Sequence, residues 1–113
     1  MLFKKLDIWK RSRNLSIDVY RKTKHLRDYG FKDQLTRCAL SVPSNIAEGF
    51  EKDYIKEKVR YLAISKGSLG EFVTQVDIGS EVGFVDKEIA VIWIQEATEL
   101  SRMIGKLIIK IRS

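Results

Sequence analysis

The stretch YLAISKGSLGEFVTQVDIG, residues 61–79, decides the fold. Within it Leu62, Ser65, Leu69, Phe72, Val76 and Gly79 recur at steps of three, four, three, four and three. That spacing belongs to a helix that keeps one seam turned toward a neighbouring helix. Strict alternation, the mark of a half-buried strand, is absent from it. Glycine inside a helix costs about 1 kcal/mol against alanine. Gly67, Gly70 and Gly79 therefore call for a packing reason, and Gly67 and Gly70 are expected to leave room for a close helix contact.

Outward from this seam, the helical period extends over about Ile55 to Val82, and three further helical segments follow the same rule. One runs from about Lys5 to Asp28 with Ile8, Leu15, Val19 and Leu26 on its apolar stripe. A second runs from about Lys32 to Phe50 with Leu35, Cys38, Ala39, Val42, Ile46 and Phe50 inward. The last runs from about Lys87 to Arg112 along Trp93, Ala97, Leu100, Ile104, Leu107 and Ile111. Asp86 is its expected N-cap, with Val85 and Ala90 as a hydrophobic staple. The breaks fall at Tyr29-Gly30, near Asp53-Tyr54 and at Gly83 to Asp86. Short connections between long amphipathic helices favour antiparallel neighbours. The expected fold is all-α, one up-down-up-down four-helix bundle over residues 1–113. Val91, Ile94 and Ile109 lie off the last helix's stripe, and the excess apolar surface points to an oligomer.

The chain has 113 residues, 44% hydrophobic and 32% charged, which is a globular composition for one domain. One Cys and one His exclude a disulfide framework and a Cys-based zinc site. No apolar run approaches the roughly 20 residues that span a membrane. Neither a membrane association nor a targeting segment is expected, and a reducing, cytoplasmic setting is the default. The net charge of +6 is unevenly placed. Residues 1–28 hold nine Lys and Arg against three Asp, and bases and acids balance in the rest.

On a helical wheel with Lys10 at zero, Arg13, Arg21 and Lys24 all fall within about 60° of it, opposite the apolar stripe. From Lys10 to Lys24 the row would run about 21 Å, a line of cations able to follow several phosphates. Lys10, Arg13, Arg21 and Lys24, with Lys4, Lys5, Arg11 and Arg27 around them, are the candidate nucleic-acid contacts. Such contacts confer affinity without sequence choice. Trp9 and Tyr20 flank the stripe and either stack on unpaired bases or pack against a neighbouring helix. The competing reading is an adaptor whose basic face docks an acidic protein.

Pro43 interrupts the second segment. It removes an amide and crowds the carbonyl of Ala39, so a kink near Pro43 is expected, or else a helix that starts there. Arg37, Ser41, Ser44, Asn45 and Glu48 share one polar face by their spacing. Ser65, Ser68 and Glu71 form a comparable row on the third segment. These residues, with Pro43, Gly49 and Gly67, are expected to hold the contact between the two helices or a subunit interface. No catalytic residue, cofactor or metal is expected. The lone His25 is far along the chain from Ser41, Ser44 and Ser65, and GxSxG, P-loop and GxGxxG patterns are absent. Glu48 and Glu71 are the one candidate carboxylate pair across two helices. Cys38 reads as a small core residue.

The block SVPSNIAEGF, residues 41–50, resembles the four-helix bundle proteins encoded within intervening sequences of bacterial 23S rRNA genes. Leu6 to Lys10 and Tyr61 to Glu71 support the likeness, which covers nearly the whole chain. Cys38 departs from the Ala usual in that family, and the loop around Gly30-Phe31 is shorter. The resemblance implies an antiparallel four-helix bundle that assembles into rings, commonly homopentamers. It also implies a relationship to the accessory proteins of diversity-generating retroelements, basic pentamers that bind nucleic acid and a reverse transcriptase.

Overall fold

The computed structural model describes residues 1–113, and every regular element in it is helical. A 3-10 turn at Leu2–Lys5 leads into α1 (Asp7–Lys22), α2 (Tyr29–Phe50), α3 (Ile55–Glu81) and α4 (Lys87–Arg112). The expected heptad seam of α3 is wholly buried: Leu62, Ser65, Leu69, Phe72, Val76 and Gly79 all face inward, joined by Val59.

Cross-helix contacts set the directions. Phe31 of α2 lies against Gly79 of α3, Cys38 against Ser68, Val42 against Ser65, and Gly49 against Tyr61. As one number rises the other falls, so α2 and α3 are antiparallel. The same holds for α3 and α4, where Gly79 meets Val85, Phe72 meets Trp93 and Lys66 meets Gly105. On α1 and α4, Asp18 bonds Trp93 while Arg11 reaches Glu96 and Met103. The four helices therefore alternate up and down in a bundle about 43 Å long and 21 Å across. One apolar cluster of 20 buried residues runs through all of them.

Two boundaries differ from the sequence expectation. α1 stops at Lys22, not near Asp28. Thr23 closes it with both its amide and its hydroxyl on the Val19 carbonyl, and the Leu26 amide then bonds the Thr23 carbonyl. The turn still drives Leu26 into the core, where it is 8% exposed. α2 in turn begins at Tyr29, so Gly30 is helical and not a break. The Asp28 carboxylate accepts from the Phe31 amide at 3.0 Å and caps that end.

Pro43 lies inside α2 and is buried, and the helix runs through it from Tyr29 to Phe50. The alternative of a new helix starting at Pro43 is thus not adopted. At the end of α3, Gly83 takes a φ of 86°. The Phe84 amide bonds the Gly79 carbonyl at 2.8 Å, and the Gly83 amide bonds that of Ser80 at 3.2 Å. This is a Schellman closure, which requires the left-handed conformation that glycine adopts without strain. At the start of α4 Asp86 is the N-cap residue as expected, but its side chain makes no cap bond. Val85 and Ala90 are both buried there, as a staple requires.

Candidate functional site

On α1 the buried face is Ile8, Ser12, Leu15, Ser16 and Val19. The two serines do not belong to the apolar pattern of the sequence. Ser12 turns its hydroxyl onto its own helix, donating to the Trp9 carbonyl at 3.1 Å, so it is satisfied without a partner from another helix. Opposite this face, Lys10, Arg13 and Arg21 are exposed. Five ion pairs form in the molecule, and none involves these three residues or Lys4, Lys5, Lys24 or Arg27. The free cations of the N-terminal quarter thus stand on the outer face of the bundle. Arg13, Asn14, Ile17, Asp18 and Arg21 line a shallow hollow of about 340 Å³ there.

Two expectations about this face are corrected. Arg11 is not free for phosphate: its guanidinium grips Glu96 through two bonds of 2.6 and 3.0 Å and ties α1 to α4. That bond to Glu96 raises the Arg11 pKa. Lys24 and Arg27 lie in the connection beyond α1, since the helix ends at Lys22. The helical part of the row therefore runs from Lys10 to Arg21, about 16 Å at 1.5 Å per residue. Of the two readings open to Trp9, packing is the one adopted: it lies edge-on against Phe3 at 5.4 Å and against the core.

Asp18 has a role that sequence reasoning missed. It accepts from the indole Nε1 of Trp93 at 2.8 Å and pairs with Lys22 at 3.2 Å. Trp93 is 2% exposed, so its N–H requires a partner inside the protein. A tryptophan on an apolar stripe was the one available sign, but it does not say which carboxylate serves it.

The polar residues of α2 and α3 divide into two groups. Arg37, Ser41, Asn45, Ser68, Glu71 and Gln75 border one open groove of about 450 Å³ between the helices. Arg37 pairs with Asp33, four residues back, at 2.9 Å. Ser41 donates to the Cys38 carbonyl at 2.6 Å, and Asn45 to that of Ser41 at 2.8 Å. These bonds stay within α2, and Ser44 and Glu48 are exposed. Arg37, Ser44, Asn45 and Glu48 therefore do not hold the contact with α3. That contact rests on the Ser65 hydroxyl, which donates to the Val42 carbonyl at 2.9 Å, and on the Cys38 thiol, 3.2 Å from the Ser68 carbonyl. Gly49 completes it: a methyl there would stand 3.1 Å from Tyr61 Cβ and 3.2 Å from the Lys58 carbonyl. Gly67 and Gly70, expected to make the close approach, are exposed, and a methyl group at either would meet nothing within 4 Å.

Burial, with a smaller contribution from Glu71, pushes the Cys38 thiol up to about 12. Its proton stays in place at neutral pH, which suits packing and not nucleophilic attack. Glu71 sits beside Cys38, ten residues before Glu48 on α2, and so lies about 15 Å along the axis from it. The two carboxylates cannot share one ligand. No three His, Cys, Asp or Glu side chains gather in a metal-binding group. No helix is long and apolar enough to cross a membrane.

Comparison with known proteins agrees with this geometry. A family model described as 23S rRNA-intervening sequence protein matches residues 4–106. No curated protein matches the chain. Among solved structures, a protein of unknown function from the S23 ribosomal protein family of Bacteroides thetaiotaomicron superposes with a TM-score of 0.84. The match covers 89% of this chain and 97% of that one at 14% identity, a likeness of fold.

Proposed function

The chain belongs to the 23S rRNA-intervening sequence protein family, and on that premise we propose that it acts without catalysis, as an oligomeric bundle holding nucleic acid on the outer face of α1. The observation that carries this reading is the placement of charge. All of the +6 excess lies in residues 1–28, and Lys10, Arg13 and Arg21 stand exposed there without acidic partners. Lys24 extends their reach past the helix end. Cations so arranged bind phosphate by counterion release, with affinity that falls steeply with salt and little sequence preference.

Self-association is supported by apolar surface left open on the α3–α4 side. Ile55 and Ile109 are 58% and 69% exposed, and the register of α3 against α4 sets them at the same level. Ile78 and Val91, nearer the other end, are 53% and 54% exposed. A ring of copies, five by the family resemblance, would bury such residues and sum the fields of its α1 faces. The single buried thiol suits a reducing cytoplasm.

Replacing Lys10, Arg13, Arg21 and Lys24 with Glu tests the reading. A gel-shift assay with RNA is expected to lose the complex, while size-exclusion chromatography shows the same assembly as the parent. Undiminished RNA affinity overturns the proposal. Binding to a purified acidic protein that RNA fails to displace favours the adaptor instead.

A further inference from the structure

Where α1 ends and α2 begins, a hollow of about 560 Å³ opens beside Tyr20, Lys24, Tyr29 and Lys32. That volume lies in the range of sites for small organic groups. Its two aromatic rings come from different helices, Tyr20 from the last turns of α1 and Tyr29 from the first residue of α2. Neither is spent on the core: Tyr20 is 42% exposed and Tyr29 69%. The Lys32 ammonium stands 4.9 Å from the centre of the Tyr29 ring, on its face. Lys24 and Lys32 form no ion pair, whereas Asp33 on the rim is engaged by Arg37 at 2.9 Å. The hollow therefore presents aromatic surface and free positive charge together, next to the C-terminal end of the basic row at Arg21.

We infer that this hollow receives an unpaired nucleobase, stacked on Tyr20 or Tyr29, with the flanking phosphates on Lys24 and Lys32. The inference rests on the nucleic-acid reading of α1 and sharpens it to single strands. Bases inside a duplex are stacked on one another and cannot offer a face to a tyrosine, whereas a single strand can. Phosphate contacts at Lys10, Arg13 and Arg21 alone read no base and give no advantage to a single strand. The turn that ends α1 at Lys22 supplies Thr23 and Lys24 to the lining of the site. A helix continued to Asp28 would have kept Lys24 on the outer stripe.

The test compares a fluorescein-labelled single-stranded RNA 12-mer with the duplex of the same length by anisotropy, using the full chain. The parent is expected to bind the single strand more tightly. Tyr20→Leu with Tyr29→Leu should weaken single-strand binding about tenfold or more, as loss of base stacking does elsewhere, and leave duplex binding unchanged. Tyr20→Phe with Tyr29→Phe keeps the rings and should bind like the parent. If the leucine pair disturbs the helical circular dichroism, Tyr20→Leu and Tyr29→Leu are measured singly, and at least one of them should show the loss. Full single-strand affinity in the leucine variants overturns the inference; if Arg13→Glu with Arg21→Glu still abolishes binding, the α1 reading survives it. A parent that binds neither RNA overturns both.

Discussion

Replacing Gly67 and Gly70 with alanine is expected to stabilise the protein. Both glycines lie inside α3, where each costs the helix about 1 kcal/mol relative to alanine. A methyl group at either position would meet nothing within 4 Å, so no clash offsets the gain. The pair should add about 2 kcal/mol. At about 2.1 cal/mol/K per residue the unfolding entropy of a chain of 113 residues is about 0.24 kcal/mol/K, which converts the gain into a rise in Tm of about 8 °C. Gly79→Ala should do the opposite. Its new methyl would stand 2.5 Å from Phe31 Cζ and 3.2 Å from Val85 Cγ2, well inside the 3.5 to 4 Å of good carbon contacts. Phe31 is braced by the Phe84 ring at 5.1 Å and cannot simply swing aside. Overpacking typically costs about 1 to 3 kcal/mol, more than the helix propensity returns, so a net loss of about 1 kcal/mol is expected. Urea unfolding followed by tryptophan fluorescence, at one fixed protein concentration, measures all three. A destabilised Gly67→Ala/Gly70→Ala protein would refute the argument, because it would mean those glycines have a packing partner.

Asp18→Ala strands the buried Trp93 N–H and should cost about 1 to 3 kcal/mol, while Asp18→Asn keeps an acceptor and should cost less; thermal unfolding of the two decides. Arg11→Met should cost about 1 kcal/mol or less, as expected for a partly exposed ion pair, and leave RNA affinity unchanged in a gel shift, in contrast to charge reversal at Lys10, Arg13 and Arg21. Native Cys38 should resist iodoacetamide at pH 8 and react once the chain is unfolded in urea, as mass spectrometry would show. Its thiol pKa is raised from the ordinary 9.0 to about 12, so the unfolded chain releases this proton first. The contribution of Cys38 to stability is then complete below pH 9 and lost progressively as pH climbs toward 12. Cys38→Ala should show a shallower alkaline decline in urea titrations; identical slopes would contradict this.

The four helices were legible because each buries a stripe whose period is helical. The α3 seam and the inward residues of α2 from Leu35 to Ile46 lie where their spacing put them. The C-terminal end of α1 was not legible. Thr23, Lys24 and His25 carry no glycine or proline, and Leu26 fits the helical wheel as well as it fits the turn that actually buries it. Gly30 misled in the other direction. A glycine in the first turn of a helix breaks no hydrogen bond, and Asp28 two residues earlier supplies the cap.

The sequence by itself determined the helical period, the order of the elements and the concentration of charge in the first quarter of the chain. These are local or additive properties, readable without knowing which residues meet. Only the tertiary structure decided which charges are free. Arg11 and Asp18 lie among the same basic residues as Lys10 and Arg13, yet α4 claims them through Glu96 and Trp93, 85 and 75 positions away. It also decided that the close contact of α2 with α3 falls on Gly49 and Ser65 and not on Gly67 or Gly70. A glycine's spacing shows which face it shares, whereas the rotation of the neighbouring helix sets whether anything stands against it.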